Sequence, residues 1–124
     1  MSVIRVVVID DEEMVADACA SILRRFGCDV SVAHNGKEGL GMIREQLPHV
    51  VICDIRMPGL DGFQVARELK AQPATARIPI VLMSGHGFAG PNSCDAFLPK
   101  PFPVPELVAT VKKLAARHDS PPEG

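Results

Sequence analysis

Short aliphatic runs that alternate with stretches of helical periodicity constrain this chain more than any other feature. Residues 3–9 read Val-Ile-Arg-Val-Val-Val-Ile, a β-branched run with one polar interruption. A strand wet on one side would alternate, so this run suits a strand covered on both faces. Val15, Ala18, Cys19, Ile22 and Phe26 then recur at helical spacing, and Gly27 stands where a helix stops. Val30 and Val32 predict a short strand near 29–33. Asn35-Gly36 signals a turn, and Leu40, Ile43 and Leu47 mark one face of a second helix that Pro48 ends. The run from Val50 to Cys53 is a third strand leading into Asp54, with a break at Pro58-Gly59 beyond it. Val65, Ala66 and Leu69 predict a third helix, closed off by Gln72-Pro73. Residues 78–83 and 96–98 read as the fourth and fifth strands. Leu107, Val108, Val111 and Leu114 give a last amphipathic helix, started from Pro103 and Pro105. The pattern predicts an α/β fold with a parallel sheet sandwiched between helices. Right-handed crossovers then place the carboxyl ends of all strands on one edge. Sites of open α/β sheets lie along that edge.

The totals narrow the function. A length of 124 residues fits one domain, expected over 1–118, with 119–124 a polar tail that buries nothing. With no Trp, no Tyr and five Phe, the core must come from Val, Ile, Leu, Met and Ala. A net charge of −2 gives no electrostatic reason for nucleic acid or an anionic membrane as a partner. No apolar run approaches the ~20 residues of a membrane span, and the first residues lack the layout of a signal peptide. Cys19, Cys28, Cys53 and Cys94 show no CxxC or metal spacing, so they read as reduced residues in a reducing, cytoplasmic compartment.

Chemistry concentrates just after the strands. Asp10 and Asp11 follow the first, Asp54 ends the third, Ser84 follows the fourth and Lys100 the fifth. Carboxylates brought together repel one another and are costly to keep ionised; a divalent cation removes that cost. Oxygen-only ligands with room for water favour Mg²⁺ over zinc. Such an ion beside a carboxylate, with a lysine and a hydroxyl opposite, has the parts to neutralise a transferring phosphoryl group. The carboxylate can itself be the nucleophile. Taken singly the residues are ordinary: Asp10 and Asp11 could cap a helix, Ser84 could belong to a turn, and Lys100 could be a solvated lysine.

Together they resemble the receiver domain of bacterial response regulators. The resemblance rests on Ile9-Asp10-Asp11-Glu12, the run Asp54-Ile55-Arg56-Met57-Pro58-Gly59-Leu60-Asp61-Gly62, Met83-Ser84-Gly85, and Phe97-Leu98-Pro99-Lys100-Pro101-Phe102. It implies the flavodoxin-like strand order 2-1-3-4-5, and Asp54 as acceptor of a phosphoryl group from a sensor histidine kinase or phosphotransfer protein. It implies Mg²⁺ held by Asp11 directly, Asp10 partly through water, Asp54, and the backbone carbonyl of Arg56. Lys100 would pair with the phosphoryl oxygens and Ser84 would move towards them, with Phe97 as the aromatic switch. The Lys100-Pro101 bond is expected to be cis. Phosphoryl uptake and slow hydrolysis would be self-catalysed, which is not turnover in the usual enzymatic sense. Arg56 and His86, each two residues beyond a key side chain, are expected to overhang Asp54 and tune hydrolysis of the aspartyl phosphate. The other histidines, His34, His49 and His118, read as surface residues.

One stretch departs from the family. Fifteen residues separate Ser84 from Lys100, and the fifth strand takes the last few. An average helix of ~11 residues with connections of ~4 does not fit there, and three glycines and a proline oppose it. The fourth helix of the family is therefore expected to be shortened or missing. The face it helps to build commonly dimerises, so a monomer or weak dimer that signals through another surface, or passes the phosphoryl group on, is expected. No output domain is expected after the last helix of this sequence; a stand-alone receiver and a piece of a larger protein, such as a hybrid kinase, both fit. A phosphate-independent docking module of the same fold is the alternative function. An aspartyl-intermediate phosphatase would need an acid where Arg56 stands, and an FMN carrier would need a phosphate loop after the first strand.

Overall fold

The computed structural model describes residues 3–85 and 94–119, the side chains of His118 and Asp119 excepted. The chain runs β1 (Arg5–Ile9), α1 (Glu13–Arg25), β2 (Asp29–Ala33), α2 (Gly36–Gln46), β3 (Val50–Asp54), α3 (Gly62–Ala71), β4 (Ile80–Ser84), β5 (Ala96–Pro99) and α4 (Val104–Asp119). The five strands form one parallel sheet in the order β2-β1-β3-β4-β5. No helix stands between β4 and β5 among the described residues. The expected deficit there falls partly on residues 86–93, outside the described residues.

Period-two alternation splits the sheet between two cores. Val6, Val8, Ile52, Val81 and Met83 meet the apolar faces of α1 and α4 on one side. Val7, Ile9, Val51, Cys53 and Leu82 meet α2 and α3 on the other. Gly39 of α2 rests against the side chain of Ile9, where any Cβ would collide.

Several sequence expectations shift. The buried stripe of α1 is Ala16, Cys19, Ala20 and Leu23, one step round from the stripe read off Val15, Ala18, Cys19, Ile22 and Phe26. The alanines let the helix lie close to the sheet, while Val15 and Ile22 are only partly buried at the side of the same core. Phe26, 52% exposed, is the C-cap rather than part of the stripe. Leu47 leaves the face of α2, because it is the C-cap in the left-handed conformation at φ 47°. Ile78 is buried ahead of β4, held by a turn in which its N–H donates to Thr75 O and Thr75 Oγ1 donates to Leu69 O. His49 is not a surface residue: it is buried, and its Nδ1 accepts from the Arg5 backbone N–H at 2.9 Å. His34 is only half-buried, with Nε2 enclosed and unpartnered. The side chain of His118 lies outside the described residues. No described helix is long and apolar enough to cross a membrane.

Candidate phosphoacceptor site

Two of the three inner strands, β1 and β3, end where the sequence places its acidic residues. Asp10 follows β1, fully buried, with its N–H donating to Ala33 O and its Oδ1 accepting from Glu12 N–H at 3.0 Å. Asp11 is exposed at the rim. Asp54 is the last residue of β3 and is 5% exposed. Beyond it the chain turns back, Gly62 N–H donates to Ile55 O, and α3 begins. Gly62 is required at that return, because a Cβ would stand 2.7 Å from the Asp54 carbonyl oxygen and 2.8 Å from Ile55 Cα. A reciprocal cap secures the helix start: Gln64 N–H donates to Asp61 Oδ1 and Asp61 N–H to Gln64 Oε1, both at 2.8 Å.

Lys100 closes the constellation from the sheet edge. It follows β5, its N–H donates to Ser84 O, and the Lys100-Pro101 peptide is cis. Its Nζ donates to Asp10 Oδ2 at 2.9 Å and stands 3.1 Å from Asp54 Oδ1. Burial pushes the Asp54 carboxyl up, the Lys100 hydrogen bond opposes this, and the charges of Asp10 and Asp11 add to the rise. Burial alone would lower the Lys100 ammonium, but its bonds to Asp10 and Asp54 outweigh that and hold it above its ordinary value. Ser84, buried at the end of β4, lines the same cleft of about 340 Å³ with Asp11, Glu12, Asp54, Arg56, Gly85 and Lys100.

Carboxylate oxygens of Asp10, Asp11 and Asp54 lie within 4.8 Å of one another. Oxygens sharing an octahedral Mg²⁺ at ~2.1 Å are separated by roughly 3–4 Å, so the donor set fits that ion with small side-chain adjustment. Its chemistry is all hard oxygen, and the open cleft leaves room for water.

Of the residues singled out in the sequence, Asp10, Asp11, Asp54, Arg56, Ser84 and Lys100 meet at this edge. Phe97 packs, partly buried, against the α2/α3 core. His86 lies outside the described residues. Glu12 was missed: its Oε1 is 3.8 Å from Lys100 Nζ, and only its place directly after the acidic pair hinted at a role. A second feature also escaped the sequence reading, an apolar groove of about 450 Å³ beside Lys100. Met14, Val15, Ala18 and Ile22 of α1 line it with Pro101 and Phe102. Met14 and Ala18 are exposed there, whereas Val15, Ile22 and Phe102 also pack partly buried against the α1/α4 core.

A family model of the response regulator receiver domain matches residues 6–112. The chain belongs to the response regulator receiver domain family. Solved receivers resemble it along their whole length. A Chloroflexus aurantiacus J-10-fl protein assigned as a response regulator is 32% identical, with TM-score 0.88, covering 94% of this chain and 100% of that one. The receiver domain of Francisella response regulator 1452 is 31% identical (TM-score 0.84; 91% and 97% covered). The signal receiver domain of a Syntrophus aciditrophicus signal transduction histidine kinase is 25% identical (TM-score 0.84; 97% and 96% covered). This receiver thus resembles domains found both in response regulators and in a kinase.

Proposed function

We infer that this receiver takes a phosphoryl group onto Asp54 and so signals to a partner protein. The observation that carries the reading is the Lys100 ammonium set between Asp54 and Asp10 at the floor of a cleft that Ser84 also lines. Transfer forms a bond between an Asp54 carboxylate oxygen and phosphorus as the bond from phosphorus to the donor breaks. Lys100 follows the new negative charge, and the Ser84 hydroxyl supplies a neutral donor to the same oxygens. Both groups act from a pocket where charge is poorly screened, which strengthens their stabilisation of the transferring group. Mg²⁺, held by Asp10, Asp11, Asp54 and the Arg56 carbonyl, would supply further neutralisation of that charge. Water later attacks phosphorus, releasing phosphate and restoring the carboxylate. Arg56, at the cleft wall, tunes that step by shielding or by charge; His86 is proposed as its counterpart on sequence position alone.

The donor is a sensor histidine kinase or phosphotransfer protein. The apolar groove on α1 beside Lys100 supports this, since a protein donor needs an apolar contact surface next to the acceptor. The domain is read as a cytoplasmic phosphoacceptor with self-catalysed uptake and hydrolysis rather than a turnover enzyme, as a monomer or weak dimer. Its response would involve Ser84 and Phe97.

Intact-protein mass after incubation with Mg²⁺ and acetyl phosphate tests the reading. One phosphoryl mass is expected in the parent and none in Asp54→Ala. No gain in either would leave the fold as a phosphate-independent docking module.

A further inference from the structure

Glu12 holds a position that helix formation does not explain. It is the N-cap of α1, where a short polar side chain normally accepts from the first turn, yet its side chain makes no capping bond. Its carboxylate instead turns to the cleft and stands 3.8 Å from Lys100 Nζ. The Glu12 side chain is 66% exposed and that of Lys100 16% exposed. A solvated anion at the mouth thus faces a largely buried cation at the floor. Asp10 and Asp54 are fixed by strands; Glu12 is the third anionic neighbour of Lys100 and sits on the path into the cleft.

We propose that Glu12 is a charge gate, a positioning residue that competes with incoming phosphoryl oxygens for Lys100 and so disfavours small free phosphodonors. The proposal rests on the phosphoacceptor reading of Asp54. In transfer from acetyl phosphate, the bond between phosphorus and the acetyl oxygen breaks. Its electron pair leaves on acetate, and an Asp54 oxygen bonds to phosphorus. The transferring oxygens enter past Glu12, which repels them and already neutralises part of Lys100. A small anion has nothing to offset that repulsion, whereas a protein donor offsets it with contacts on α1. One unit charge several ångströms from the transferring oxygens, in a half-solvated cleft, changes the rate by roughly tenfold.

The test compares the parent with Glu12→Gln and Glu12→Asp, with Asp54→Asn as the blank. It follows the initial rate of mass gain from acetyl phosphate and Mg²⁺ at low and high ionic strength. Glu12→Gln is expected to react roughly tenfold faster at low salt, the advantage shrinking as salt screens the charge. Glu12→Asp keeps the charge and should stay near the parent. Calorimetry adds a readout without turnover: Glu12→Gln should bind BeF₃⁻ more tightly and Mg²⁺ more weakly, opposite changes that loss of a helix cap does not produce. A Glu12→Gln protein with the parent's rate at every salt and the parent's affinities overturns the gate and leaves the acceptor standing. Equal acceleration in Glu12→Asp also overturns it, because charge would not be the cause. Uptake in neither parent nor Glu12→Gln removes the acceptor reading and the gate with it.

Discussion

Replacing Lys100 by methionine keeps most of the side-chain volume and removes one charge, which isolates what the ammonium does for the fold. In the parent, Nζ is 2.9 Å from Asp10 Oδ2 and 3.1 Å from Asp54 Oδ1. The side chains of Asp10 and Asp54 are 0% and 7% exposed. Removing one partner of a fully buried ion pair costs about 3–5 kcal/mol, most of it from the charge left unpaired. Here the cleft is open on one side, so about 2–3 kcal/mol is expected at neutral pH without divalent cations. For a domain of this size that is a fall in Tm of roughly 8–12 °C. The chain has no Trp or Tyr, so far-UV circular dichroism in urea is the suitable assay.

The sign of the pH dependence follows from Asp54. Its carboxyl is raised in the folded protein, so the folded state binds a proton more readily than the unfolded chain. Stability from this group is therefore greatest in acid and declines as pH rises through the folded value. Without Lys100 the rise is larger, so the deficit of Lys100→Met should be greatest at neutral pH and shrink in mild acid. Millimolar Mg²⁺ should also restore stability, by binding the folded carboxylates. A deficit that is equal in acid and at neutral pH, and indifferent to Mg²⁺, would refute the electrostatic account and make Lys100 a packing residue.

Gly62→Ala must push a methyl against the Asp54 carbonyl and Ile55 Cα, so a loss of about 1–3 kcal/mol is expected in urea unfolding, together with slower phosphoryl uptake. His49→Ala leaves the Arg5 N–H without its acceptor and should cost about 1–3 kcal/mol; Arg5→Ala in the same background reports the remaining clasp to Gln46 O and Leu47 O. Burial, with the Asp10 charge adding to it and Lys100 opposing, raises the Cys19 thiol to about 11, and burial raises Cys53 well above its ordinary value. Both should therefore stay unmodified by iodoacetamide in the native protein at neutral pH and react fully in urea, as read by peptide mass.

The fold was legible because its inner strands are covered on both faces and so read as unbroken apolar runs. Val6 to Ile9 and Val50 to Cys53 are buried without interruption, and their ends mark the site edge. The side chains meeting there were legible as well, since each follows a strand. The orientation of α1 was not. Val15 and Ile22 read as the centre of the stripe, yet they are only partly buried at its side, and Ala16, Ala20 and Leu23 take the sheet face. Glu12 was hidden for a related reason. An acid beside two acids reads as part of the same cluster, and only the geometry separates a residue at the floor from one at the mouth. His49 looked like a surface residue because sequence pattern does not report that a strand's first N–H needs an acceptor.

Lys100 hangs from the outermost strand, whereas the carboxylates it joins stand on central ones. Its bond to Asp10 spans 90 residues of chain. Closing so long a loop costs entropy that only a nearly complete sheet repays. The acceptor chemistry proposed for Asp54 is therefore tied to docking of the sheet's last strand. A growing chain that has built β1 through β4 holds the acidic residues together with no cation to quiet them. Loosening β5 at the sheet edge would take Lys100 from the carboxylates while β1 and β3 stay paired.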